Sequence, residues 1–438
     1  MLSSEQNKLV TEVENGSPCG QLLRNYWQPA ALTEELTSFR AAKAVRIFGE
    51  DLVVFRDEEG NYGLIDRACP HRGADLCYGR LEDGGIRCPF HGWLFDVDGR
   101  CLDQPAEPEG SKFNTKIKIK AYPCVERNGI IFTYMGEGPP PSLPEIDCLQ
   151  APDAHSFAFK GYLECNWLQA TEVGIDPSHA SYLHRYLEDH DPEYGLQFAG
   201  KSGEGVLNVT AVLREYNRPN IEIENTEFGM RLLTTRDIDK DTMHVRVTNL
   251  VFPNLIVIPM TNDMVISQWH VPIDDTHSWW YAMFTSYEKE VDKKTMGEQR
   301  RDLYTFPDYR PKINKINNYG YDPEEQRTKT YTGMGMDINV HDQWAVESPG
   351  AIFNRENEHL GAADKGIIRF RKVLIKSIAE VMEGNPTPFM FNSDNEDLKG
   401  IGPVAIDTTT PRNSWKEDWQ SFELDRRKSA AWTSKETS

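Results

Sequence analysis

The chain has 438 residues, 39% hydrophobic and 11% aromatic, which is enough for a packed interior and too long for one ordinary core. Its formal net charge of −20 excludes nucleic acid and anionic membrane surfaces as principal partners. No stretch reaches the 18 or so apolar residues of a membrane span, and the opening segment has neither a basic nor an apolar signal region, so a soluble cytoplasmic protein is expected.

Two domains are expected, residues 1–150 and 151–438, divided by the breaker run Gly136–Pro144 with its three consecutive prolines. In the first, Val45–Phe48 and Leu52–Phe55 flank a short turn and read as a hairpin, followed by a strand at Tyr62–Ile65. Arg87–Gly92 and Asp96–Gly99 are loops between further short strands, giving a small all-β unit. Beyond the boundary, strands are expected at Gly229–Arg236, Met243–Phe252, Asn254–Pro259, Met264–Val271 and Trp279–Thr285. Their short connections imply an antiparallel sheet. Gly366–Glu383 carries Ile367, Phe370, Leu374, Ile378 and Val381 at helical spacing and stops at Gly384, a helix flanking that sheet. After Pro386 the chain reads as a polar, irregular tail. The fold class is α+β.

Two loops of the first unit carry a metal-ligand pattern. Cys69 and His71 form C-x-H, and after sixteen residues Cys88 and His91 form C-x2-H. With 8 Cys and 11 His in the chain, each pattern arises by chance about 0.2 times, and both together in about 4% of such chains. Two thiolates and two imidazoles can hold zinc, or a two-iron, two-sulfur cluster in which histidines replace cysteines on one iron. Glycines follow both motifs, as Arg72-Gly73 and Gly92-Trp93, and let backbone approach a ligand closely. The other six cysteines are scattered without the spacing of a disulfide framework.

A second pattern, Asp176-x2-His179-x4-His184, lies beyond the boundary. On an ideal helix, positions five apart differ by about 140°, so the two histidines converge only if a helix starts or kinks there. Gly174 and Pro177 supply the break, with Asp176 as N-cap and Pro177 at the first helical position. By composition alone the bland reading is a solvated aspartate and two surface histidines.

The first pattern resembles the iron–sulfur fingerprint of the Rieske oxygenases, and the second resembles their mononuclear iron motif. Pro18–Pro29, Cys165–Gln169 and Glu358–Gly361 look like the phthalate-dioxygenase-type subfamily. The resemblance implies an all-β Rieske domain and a helix-grip-like catalytic domain. It places Cys69 and Cys88 on one iron of a [2Fe-2S] cluster and His71 and His91 on the other. It makes His179 and His184 ligands of a mononuclear Fe(II), with a later carboxylate completing a facial triad. Asp342 is expected in that role, with Glu347 as the alternative. Asp176 corresponds to a carboxylate that bridges an iron ligand to a cluster histidine of the adjacent subunit. Asn166 is expected near the iron, although it could equally cap a helix. His341, His359 and the charged residues around Arg355 are expected to form a structural network.

The implied function is that of a terminal oxygenase using O2 and NAD(P)H-derived electrons on an aromatic acid. Oxidative O-demethylation of a methoxylated, lignin-derived carboxylate is the first expectation. Ring cis-dihydroxylation of a phthalate- or benzoate-like acid is the second, and a Rieske electron carrier without its own catalysis is an alternative of another class. Where phthalate-type sequences have Asp-Ser-Ser-His, this chain has Pro177, which offers neither hydroxyl nor N–H to a carboxylate. No dinucleotide fingerprint and no second cluster spacing is present, so a separate reductase or ferredoxin is implied. The family's single-subunit threefold rings imply a homotrimer or hexamer. Arg231, Arg236 and Arg246 are candidates to pair with a substrate carboxylate, though each is more often structural. Trp269, Trp279 and Trp280 are expected in the core.

Overall fold

The computed structural model describes residues 1–37, 41–187, 209–260, 263–390, 402–430 and 432. Among them, eleven short strands precede residue 134: β1 (Gln28–Leu32), β2 (Ala42–Ile47), β3 (Glu50–Arg56), β4 (Tyr62–Asp66), β5 (Arg80–Glu82), β6 (Gly85–Arg87), β7 (Leu94–Phe95), β8 (Cys101–Asp103), β9 (Ala121–Tyr122), β10 (Cys124–Arg127) and β11 (Ile130–Thr133). They make three antiparallel sheets, ordered β2-β3-β4-β9, β5-β6-β7-β8 and β1-β11-β10. Phe48-Gly49, Asp83-Gly84 and Asn128-Gly129 close two-residue hairpins with positive φ at both positions. That turn matches the right-handed twist of the strands it joins.

The apolar run Leu52–Phe55 explains how the small unit is held. Side chains alternate across a strand, so Val53 and Phe55 enter a local core with Ile65, Leu76, Ile86, Trp93 and Phe95, while Leu52 and Val54 enter the large core. A strand buried on both faces reads as a continuous apolar run rather than an alternating one. Val10, Leu22 and Leu23, from the opening helices Ser4–Thr11 and Pro18–Arg24, also join the large core.

The largest sheet comprises β12 (Ser156–Leu163), β13 (Asn220–Thr226), β14 (Gly229–Asp237), β15 (Thr242–Val251), β16 (Leu255–Pro259), β17 (Met264–Pro272) and β18 (Ser278–Ser286), in the order β12-β18-β17-β16-β15-β14-β13. After a small hairpin of β19 (Tyr304–Thr305) and β20 (Arg310–Pro311), β21 (Ile406–Pro411) pairs antiparallel with the outer half of β15. Leu232 of β14 faces the helix Lys365–Met382 through the large core, and its neighbour Leu233 faces Trp419 of the helix Trp415–Ser429.

The five expected strands and the Gly366 helix are present within one or two residues at each end. The tail is not irregular, as expected, but holds β21 and the Trp415–Ser429 helix. Its polar composition reflects one-sided burial: Ile406 and Trp419 are buried while Lys416, Glu417 and Gln420 face out. Among the described residues no helix is long and apolar enough to cross a membrane.

Candidate active site

Cys69 and His71 lie in the loop after β4, Cys88 and His91 in the β6–β7 loop, and the two loops are near copies. The Cys69 carbonyl accepts from the Gly73 N–H at 2.8 Å and the Cys88 carbonyl from the Gly92 N–H at 2.9 Å. The Cys69 and Cys88 N–H groups donate to the carbonyls of Ala74 and Trp93, each at 2.8 Å. Closing both loops takes φ of +74° at Gly73 and +75° at Gly92, which glycine adopts without steric cost. The His71 and His91 rings are 4.4 Å apart, and His71 stacks on Trp93 at 10° between planes.

This set fits a cluster. Nδ1 of His71 and of His91 is buried with no hydrogen-bond partner among the described residues, the condition that a bound metal relieves. Burial pushes the Cys69 thiol up to about 11, so a cation is needed to hold it as thiolate at neutral pH. A single zinc fits less well, because the four ligand atoms do not close around one point. Among the described residues, the one group of three or more His, Cys, Asp or Glu with ligand atoms all within 4.8 Å is His179, His184 and Asp342.

That triad is assembled from two elements. The helix Trp167–Gly174 ends where Gly174 packs against Ile256, and the chain turns at Asp176, whose Oδ1 accepts from the Ser178 N–H at 2.8 Å. The α-helix expected from Pro177 does not form. A 3-10 turn, His179–Ser181, takes its place, and the continuing bend brings His184 round to His179 with ring centroids 5.1 Å apart at 85°. Asp342 comes from the helix Ile338–Glu347, capped by Asp337. Its Oδ1 lies 3.2 Å from His184 Nε2 and 3.8 Å from His179 Nε2. His179 Nδ1 contacts the Asp176 carbonyl, which can only accept, so that nitrogen carries the proton and Nε2 is bare. Burial lowers the His179 pKa, the direction that keeps a ligating imidazole neutral.

Beside Asp342 opens a small cleft of about 60 Å³, with Gln268, His270 and Asn339 as polar groups and Trp280 and Tyr304 as aromatic walls. Trp280, expected in the core, thus also walls the cleft, whereas Trp269 is buried as expected.

Other expected residues sort differently. Asn166 does not reach toward the triad: its Oδ1 caps the Trp167 helix at Leu168 N–H, and its Nδ2 donates to the carbonyls of Thr11 and Asp275. No polar atom remains for chemistry, so the structure gives it the capping role. Glu347 is held by the Glu164 N–H at 2.9 Å and the Tyr319 hydroxyl at 2.8 Å, away from the histidines. Arg355 and Arg371 clamp Glu172, and Arg371 also bonds Glu358, tying the Trp167 helix to the Lys365 helix. His359 is exposed and outside that network, and His341 instead reaches His184. Of the three arginines, Arg231 pairs with Glu224 and Arg246 with Asp407, while Arg236 donates, among the described residues, to the carbonyls of Tyr216 and Pro177.

Residues 26–123 match the family model of the Rieske [2Fe-2S] domain, and residues 133–436 match that of the LigXa C-terminal domain. The chain is 34% identical over 400 residues to the phthalate 4,5-dioxygenase oxygenase subunit of Pseudomonas putida, covering 88% of each. It is 32% identical to the tert-butanol monooxygenase / tert-amyl alcohol desaturase oxygenase subunit of Aquincola tertiaricarbonis, covering 90% of this chain and 80% of that one. It is also 32% identical to the 5,5'-dehydrodivanillate O-demethylase oxygenase subunit of a Sphingobium species, covering 88% and 82%. The fold is shared with the oxygenase in a solved oxygenase–ferredoxin complex of carbazole 1,9a-dioxygenase, at a TM-score of 0.56 and 20% identity over 86% of this chain and 95% of that one.

Proposed function

The chain belongs to the Rieske non-heme iron oxygenases, as an oxygenase subunit of the phthalate-dioxygenase-like branch, and from that premise we propose that it oxidises an aromatic acid, most specifically by O-demethylating a methoxylated one. It is an oxidoreductase that incorporates oxygen from O2, and it carries a Rieske [2Fe-2S] cluster and a mononuclear iron. When bound, the cluster supplies electrons one at a time and the iron a face open to O2. In our reading Cys69, His71, Cys88 and His91 hold the cluster, and His179, His184 and Asp342 hold the iron. The observation that carries this is the convergence of His179 Nε2 and His184 Nε2 on one carboxylate oxygen beside an aromatic-walled cleft. An electron carrier would need neither, and one mononuclear iron per chain beside the cluster iron, by iron and sulfide analysis, separates the two.

An acid substrate is supported by Arg236. It is 2% exposed, its Nη1 has no partner among the described residues, and its Nη2 donates at 3.1 Å to the Pro177 carbonyl, two residues before His179. Burial and the neighbouring Arg246 lower its pKa to about 10, while Asp407, already paired with Arg246, pulls the other way. A substrate carboxylate would give Arg236 a partner of its own. Arg236→Gln is expected to weaken binding of 3-methoxybenzoate about 10- to 100-fold, the worth of a hydrogen bond to a charged group. Binding of 3-methoxybenzamide, measured by calorimetry on the same holoenzyme, should be unchanged. Equal losses for both would make Arg236 a structural residue.

O-demethylation and ring attack part at the product. Incubation with a reductase, NADH and 3-methoxybenzoate is expected to release formaldehyde, whereas a cis-diol would establish dihydroxylation. Neither product from any aromatic acid tested would turn the reading toward the alcohol chemistry named for the Aquincola relative. A separate NAD(P)H-dependent reductase or ferredoxin delivers the electrons in this reading. The exposed Tyr78 and Phe90, at 77% and 54%, near the cluster loops support burial against a second subunit in a trimer or hexamer.

A further inference from the structure

We infer that His341 is a positioning residue for the mononuclear iron, locking His184 in the tautomer that turns a bare Nε2 toward Asp342. This rests on the reading of His184 and Asp342 as ligands. The argument runs from a fixed point. A backbone carbonyl only accepts hydrogen bonds, so His341 Nε2, 2.9 Å from the Gly335 carbonyl, must carry a proton. The ring is fully buried, and neither nitrogen bonds a carboxylate, so a second proton there would be an unpaired buried charge. His341 Nδ1 is therefore bare. It lies 3.4 Å from His184 Nδ1, the two rings being tilted by only 21°, so the proton between them belongs to His184.

The consequence falls on the other side of the His184 ring. With Nδ1 protonated, Nε2 presents its lone pair to Asp342 Oδ1 at 3.2 Å. Two acceptors at that distance repel unless a cation lies between them. His179 reaches the same state by a shorter route, its Nδ1 proton resting on the Asp176 carbonyl. Each histidine is thus set by a backbone carbonyl, His179 directly and His184 through one intervening imidazole.

The anchor is itself fixed. Gly335 sits at φ +78°, and its N–H donates to Glu325 Oε1 at 2.8 Å. The next carbonyl, that of Met336, accepts from the Tyr186 hydroxyl at 2.9 Å, two residues past His184. Both ends of the relay are therefore tied to the same short stretch of chain.

Three substitutions separate relay from packing. Glutamine at position 341 can accept from His184 and donate to Gly335, asparagine is too short to do both, and phenylalanine fills the space without either bond. For the holoenzyme, chelator competition should show His341→Asn and His341→Phe losing about 10- to 100-fold in affinity for the mononuclear iron, the usual effect of removing a ligand's hydrogen-bond partner. His341→Gln should recover most of it. The electron paramagnetic resonance spectrum of the nitric oxide adduct of the ferrous site should be altered in Asn and Phe and near wild type in Gln. Phe ranking above Gln, or all three matching wild type, overturns the inference. His184→Ala in the same assay tests the reading beneath it. If that variant keeps its iron, the ligand assignment fails; if it loses iron while the His341 variants do not, only the relay fails.

Discussion

Asp342→Asn is expected to empty the mononuclear site and abolish turnover while the visible spectrum of the cluster stays unchanged. The carboxylate is the sole negative charge in the triad, and its Oδ1 is the atom on which both Nε2 nitrogens converge. The neutral amide keeps the shape and loses the charge. Loss of a hydrogen-bond partner behind a ligand costs about 10- to 100-fold in metal affinity, so loss of the ligand itself should exceed 100-fold. Glu347→Gln is the matched control, because that carboxylate is already held by Tyr319 and the Glu164 N–H. It should retain iron and activity. Iron analysis on both variants decides the assignment, and iron retained in Asp342→Asn with loss in Glu347→Gln would reverse it.

Asp176→Asn is the variant expected to part metal content from activity. Asp176 Oδ1 is held by the Ser178 N–H and its carbonyl faces His179 Nδ1, while Oδ2 has no partner among the described residues. His71 and His91 sit half-exposed at the surface of the small unit. We propose that Oδ2 accepts from a cluster histidine of a second subunit, making Asp176 the polar bridge between the two metal sites. The amide keeps the backbone contacts, so cluster and iron should both remain. Substrate turnover should fall about 100-fold, with the cluster accumulating in its reduced state during stopped-flow mixing with O2 and substrate. Wild-type activity would remove the bridge from the mechanism.

Much of this molecule is legible in order along the chain. Cys69, His71, Cys88 and His91 are recognisable because each pair lies inside one tight loop, where spacing alone brings the side chains together. The strands from Gly229 to Ser286 are legible for a similar reason, since each pairs with its sequence neighbour through a short turn. The polar edge strand β13 and the tail strand β21 escape that reading. β13 alternates but offers only Ile221 and Ile223 as apolar positions, and β21 finds its partner β15 from far along the chain.

The site divides along the same line. By itself the sequence determined the two loops and the break between Gly174 and Pro177, because those depend on residues within a few positions of one another. Tertiary structure decided the rest. It faced Asp342 toward the histidines and Glu347 toward Tyr319. It spent Asn166 on a helix cap, left Arg236 Nη1 without a hydrogen-bond partner among the described residues and set His341 behind His184, 157 residues away. Those outcomes depend on which helix face packs against which strand, a property of the packed core rather than of any local spacing.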